Sequence, residues 1–140
     1  MAKRILVPVD GSEQATEALS YALEEFPGAE IGVINVIDPI DVGYTSTVGM
    51  PGYSEEWYEE SKENAEAVFE EARELADEHG VTLTTKTEVG QPAQTIVDYA
   101  EEFDQIIMGS HGRSGVSRIL LGSVAETVVR RSSVPVTVVR

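Results

Sequence analysis

The chain has 140 residues, enough for one domain with a real core and too few for two comfortable ones. It contains no cysteine, which excludes disulfides, thiolate chemistry and cysteine-based zinc sites, and no apolar run approaches the roughly 20 residues that span a bilayer. Its formal net charge of -15 sets a mean field that repels phosphate, so nucleic acid and anionic membranes are excluded as generic partners.

Met1-Ala2-Lys3-Arg4 leads straight into apolar residues with no signal-peptide h-region, so a soluble, cytoplasmic protein is expected. Ile5-Leu6-Val7-Pro8-Val9 has the continuous apolar character of a strand buried on both faces of a parallel sheet, and Pro8 puts its end close by. Asp10-Gly11-Ser12-Glu13 then reads as a turn with Ser12 as N-cap, followed by a helix whose small-residue face carries Ala15, Ala18, Leu19, Ala22, Leu23 and Phe26. Pro27-Gly28 stops it. A second apolar strand runs from Ile31 to Ile37. The stretch from Asp38 to Tyr53 has no period and reads as a long loop, either a lid over a site or a plain crossover.

Ser54 to His79 predicts a long helix with an apolar stripe at Ala65, Val68, Phe69, Ala72, Leu75 and Ala76, an outer face of glutamates, and Gly80 as its C′ residue. Val81 to Thr87 favours strand but is polar, which suits a sheet edge. Gly90-Gln91-Pro92 opens a third helix with Ile96, Val97, Ala100 and Phe103 facing inward. Gln105 to Met108 is a short buried strand, a final helix runs to about Arg131, and Val134 to Val139 is the last strand.

Between that fourth strand and the final helix lies Met108-Gly109-Ser110-His111-Gly112, then nine residues, then Gly122-Ser123. Ser123-Val124-Ala125-Glu126 has the form of a capping box. Strand, glycine-rich loop and helix start together outline a phosphate site, since glycines admit close approach and free N–H groups at a helix start attract an anion. The region from Gln105 onward also sets Arg113, Arg118, Arg130, Arg131 and Arg140 against Glu126 alone, a local +4 that leaves -19 for everything before it. The remaining acidity suits a solvated surface in high intracellular salt. The loop is not a P-loop, because no lysine follows Lys86, and its glycine intervals do not fit the dinucleotide fingerprint Gly-x-Gly-x-x-Gly. No Gly-x-Ser-x-Gly elbow is present either, and no catalytic triad can be assembled around His111 or His79.

Five strands alternating with four helices predict a single open, doubly wound, Rossmann-like α/β sheet in the order 3-2-1-4-5. In that order strands one and four are neighbours at the topological switch point, and the loops Asp10-Gly11-Ser12 and Gly109 to Gly112 leave their C-terminal ends.

The spacing Gly-x-x-Gly, nine residues, Gly-Ser resembles the ATP-binding signature of the universal stress protein family. The likeness extends over the chain through Val7-Pro8-Val9-Asp10-Gly11-Ser12, Val36-Ile37-Asp38 and Ser133-Val134-Pro135-Val136. The resemblance implies ATP with a divalent cation, Mg2+ or Mn2+, shared among the phosphate oxygens. Pro8, Asp10 and Val36, with Val9 beside them, would line the adenosine end; Met108 and Gly109 would flank the ribose. Gly112, Arg113, Gly122, Ser123 and Val124 would hold the phosphates. Asp10 is open to two roles, ligand acceptor or turn residue, as is Ser123, phosphate donor or helix cap. His111 is either a γ-phosphate contact or a residue that tunes the loop, and Arg118 either neutralises phosphate or sits in solvent. The resemblance also implies a homodimer through Val134 to Val139. Three functions stay open: a nucleotide-regulated binding module, a slow ATPase or self-phosphorylating enzyme using Ser110 or Ser123, and a structural stress protein without nucleotide.

Overall fold

The computed structural model describes residues 2–39, 55–110 and 121–140. Strands β1 (Arg4–Pro8), β2 (Glu30–Ile37), β3 (Thr84–Val89), β4 (Gln105–Gly109) and β5 (Val136–Val139) form a parallel sheet in the order β3-β2-β1-β4-β5. The helices among the described residues are α1 (Glu13–Glu25), α2 (Glu55–Asp77), α3 (Pro92–Tyr99), extended by a 3-10 turn at Ala100–Glu102, and α4 (Ser123–Arg131). This is the expected doubly wound, Rossmann-like α/β sheet, with the expected strand order.

Side-chain alternation along the strands divides the interior into two layers. Ile5, Val7, Ile31, Val33 and Ile107 meet Ala18, Leu19 and Ala22 of α1 and Ala65, Phe69 and Ala72 of α2 on one face. Leu6, Ile34, Ile106 and Met108 meet Ile96 and Val97 of α3 and Ala125 and Val128 of α4 on the other. Strands covered on both faces need apolar residues at nearly every position, which is why β1, β2 and β4 read as largely apolar runs.

Helix ends follow from local chemistry. Ser12 caps α1 by accepting the Ala15 N–H at 3.1 Å. At the far end of α2, the Val81 N–H bonds the Ala76 carbonyl at 3.0 Å and the Gly80 N–H bonds that of Asp77 at 3.0 Å, the paired closure of a Schellman motif. Gly80 takes φ +69 there.

Two strand starts differ from the sequence expectation by more than one residue. β3 begins at Thr84 rather than Val81, because the Val81 N–H is spent on the helix closure and Val81 and Leu83 pack against the core. β5 begins at Val136 rather than Val134, because Ser132 Oγ both donates to the Val134 carbonyl (2.7 Å) and accepts its N–H (3.0 Å), folding Val134 out of the ladder. Among the described residues no helix is long and apolar enough to cross a membrane.

A Cβ at Gly80 would meet nothing within 4 Å, so Gly80→Ala isolates the cost of a left-handed backbone. It should destabilise the protein by about 1–2 kcal/mol, read as a lowered urea midpoint with an unchanged slope.

Candidate functional site

The site begins with a missing hydrogen-bond donor. The Glu30 N–H bonds the Lys3 carbonyl at 2.8 Å and the Val9 N–H bonds the Ile34 carbonyl at 2.9 Å, so odd-numbered peptide groups of β1 face β2 and even-numbered ones face β4. Pro8 therefore turns toward β4 the position where it has no N–H. Pairing with β4 stops at Leu6 opposite Ile106, whereas pairing with β2 continues to Pro8 opposite Ile34. β4 stays with β5 as far as Gly109 opposite Val139. The sheet thus opens between β1 and β4 at their C-terminal ends, the switch point of the strand order.

A cavity of about 460 Å³ occupies that opening, within the range of about 300–1,000 Å³ common for small-molecule sites. Pro8, Val9, Asp10, Val36, Met108, Gly109, Gly122, Ser123 and Val124 all line it. The expected Gly112 and Arg113, with His111 and Arg118, lie outside the described residues, as does the Ile40 to Tyr53 part of the loop read as lid or crossover. Ile34, Asp38, Gln91, Pro92, Ile96 and Ser110 also line the cavity and were not singled out as binding residues from the sequence. Gln91 and Pro92 were findable: they follow β3, so they too leave a C-terminal strand end on the ligand side of an α/β sheet.

Three helices start beside the cavity, and their first turns differ. α1 is capped by Ser12, whose own N–H donates to Asp10 Oδ1 at 2.9 Å, so Asp10 does act as a turn residue. α3 is capped by Gln91, whose Oε1 accepts the Gln94 N–H at 2.7 Å, and Pro92 has no N–H to satisfy. α4 has Gly122 at its N-cap position and no side-chain cap. The expected capping box does not form: Ser123 is the first helical residue instead of the cap, and the Glu126 carboxylate pairs with Arg130 one turn on. The first intrahelical bond runs from the Glu126 N–H to the Gly122 carbonyl at 2.9 Å. That leaves the Ser123, Val124 and Ala125 amides at the positive end of the helix dipole, beside the cavity.

Other bonds fix the walls. Asn35 Nδ2 donates to the Val9 carbonyl at 2.8 Å, holding the end of β1. The Gly90 N–H bonds the Ile37 carbonyl, so the alternation along β2 turns the Val36 peptide groups to the β1 side, past the last paired residue, Pro8. Ser110, buried, donates its N–H to Val139 at 2.9 Å and accepts from the Gly122 N–H at 2.8 Å, tying β4, β5 and the start of α4 together. A Cβ on Gly109 would stand 2.8 Å from Gln14 Cβ and 2.9 Å from Gln14 backbone atoms. The first turn of α1 therefore requires a glycine there, independently of any ligand.

A larger groove of about 690 Å³ crosses the opposite end of the sheet, between Leu23, Gly28, His79 and Phe103. It gathers the C-terminal ends of α1 and α2, whose carbonyl dipoles disfavour anions. The electrostatics thus separate the two openings.

The fold and its sheet order agree with one family of known proteins. The model described as "Universal stress protein family" matches residues 1–140. The chain belongs to the universal stress protein family. It is 39% identical over 145 residues to Universal stress protein MJ0531 of Methanocaldococcus jannaschii, covering 99% of this chain and 82% of that one. The solved structure of MJ0577, from the same organism, superposes with a TM-score of 0.83 at 34% identity, covering 99% of this chain and 96% of that chain. A universal stress protein solved in complex with cAMP superposes with a TM-score of 0.71 at 26% identity, covering 99% and 97%.

Gly109→Ala should destabilise the protein by about 1–3 kcal/mol, because the neighbouring atoms include α1 backbone and cannot rotate away. Chemical denaturation without added ligand measures this; unchanged stability would show that the close approach to Gln14 carries no weight.

Proposed function

We propose that the chain binds an adenine nucleotide, ATP foremost, in the switch-point cavity, and that nucleotide state alters contacts between copies or with partner proteins. The observation that carries this reading is the uncapped start of α4 beside a cavity whose other two helix starts are capped from within. Among the described residues at the cavity, that start leaves three successive amides, of Ser123, Val124 and Ala125, to an anion, where α1 and α3 each have one taken by a side chain. Gly122, Ser123 and Val124 hold the phosphates, joined by Gly112 and Arg113 from the loop. The Ser123 hydroxyl, not used as a cap, is available to a phosphate oxygen. Pro8, Val9, Asp10 and Val36 take the adenosine end, with Met108 and Gly109 at the ribose. The relative solved with cAMP supports an adenylate as the ligand class.

The divalent cation, Mg2+ or Mn2+, belongs to the nucleotide in this reading. Among the described residues no group of three or more His, Asp or Glu could hold a metal. The cation's role is electrostatic: it neutralises a triphosphate approaching a chain of net charge -15. ATP should therefore bind more weakly when Mg2+ is withheld.

Gly122→Asp tests the site with opposite signs for stability and binding. Gly122 has φ -66 and ψ 159, open to any residue, so an aspartate there can cap α4 and occupy the anion seat with its own carboxylate. Stability should hold or rise by about a few tenths of a kcal/mol, while affinity for Mg-ATP in calorimetry falls more than about tenfold. Undiminished ATP binding by this variant would rule out α4 as the phosphate seat.

Self-association through the Val134 to Val139 segment completes the reading. β5 lies at the sheet edge and is half-exposed along its whole length. Val136 and Val139 also pack inward, which leaves Val138 as the cleaner probe. Val138→Lys should sediment as a monomer where the parent sediments as a dimer; a dimeric variant would exclude this edge.

A further inference from the structure

We propose that Gln91 reads the base of the bound nucleotide, its side-chain amide donating a hydrogen bond to one ring nitrogen of adenine. The inference rests on the adenine-nucleotide reading above. A carboxamide offers one acceptor oxygen and two N–H donors. Capping α3 needs an acceptor, so the 2.7 Å bond from the Gln94 N–H commits Gln91 Oε1 and fixes the orientation of the amide. Nε2 is left with both donors, and among the described residues nothing accepts from it. Gln91 lines the cavity together with Val36, Pro92 and Ile96. Apolar side chains suit the faces of a flat heterocycle, and a fixed N–H donor at their margin suits an unprotonated ring nitrogen on its edge. The capping bond thus performs two tasks: it satisfies the helix and it turns a two-way amide into a donor only.

The test is a coupling measurement. Mg-ATP and three analogues, with ring nitrogen N1, N3 or N7 replaced by carbon, are titrated against the parent protein, Gln91→Glu and Gln91→Met. Gln91→Glu keeps an oxygen to cap α3 and so guards against a folding defect; tripolyphosphate titrated in parallel measures the effect of its charge on the phosphate seat. One analogue should bind the parent about tenfold more weakly than ATP, and that penalty should vanish in both variants. Analogue penalties that are equal in all three proteins, or absent from the parent, would overturn the role of Gln91. A parent protein with no affinity for ATP would overturn the site reading itself, and this inference with it.

Discussion

The structure depends on a hydrogen bond that β1 cannot make. Pro8 sits on the β4-facing side of β1 with no N–H, and from that point the two central strands cease to pair. At the other end the same strands are fastened together: the Arg4 N–H donates to Asp104 at 2.8 Å, Arg4 Nη1 to the Glu102 carbonyl at 2.6 Å, and the guanidinium lies over the Phe103 ring. A pair of strands clamped at one end and released at the other produces an opening in a fixed place. Because β1–β2 and β4–β5 pairing both continue past the release point, the opening is flanked by paired strands on both sides.

Local and global electrostatics oppose each other at that opening. The chain as a whole is strongly acidic, and α2 carries much of the charge on its outer face, where Arg73 bridges Glu66 at 2.9 Å and Glu70 at 3.0 Å. At the switch point the deciding field is that of a helix start within a few ångströms, which solvent and salt screen far less than charges across the molecule. The absence of a cap on α4 is therefore informative. A side-chain cap takes one of the amides that an anion would use, as at α1 and α3, whereas α4 keeps its first three.

The two edges of the sheet are finished differently. On β3, Lys86 pairs with Glu88 at 3.1 Å and reaches toward the Tyr99 ring, and the carboxylate raises the lysine pKa. Charged side chains of this kind discourage another strand from docking. β5 carries Val-Thr-Val-Val with no charge until Arg140. The contrast supports the proposal that association between copies uses β5, and Ser110, which bonds both Val139 and Gly122, links that edge to the α4 start by two hydrogen bonds.

The sequence by itself determined the fold class through local signals, while crossover rules supplied the strand order and the family resemblance half of the cavity lining. Apolar runs report strands buried on both faces, the period of Ala15 to Leu23 reports a packed helix, and the glycine spacing marks a loop at the end of β4. What it could not decide was which of several compatible bonds each polar group makes. Ser123 and Glu126 have the spacing of a capping box, yet Gly122 takes the cap position and Glu126 turns to Arg130. Val81 and Val134 have strand propensity, yet a helix closure and a serine turn claim their N–H groups first. Gly109 belongs to a spacing that resembles a ligand motif, yet Gln14 on α1 already forbids any side chain there. Gln91 drew notice only as a helix start, because its place in the cavity depends on α3 packing over a residue more than fifty positions away, Val36. Competition for a single donor or for one ångström of space is settled by elements far apart in the chain, so only the folded arrangement decided those points.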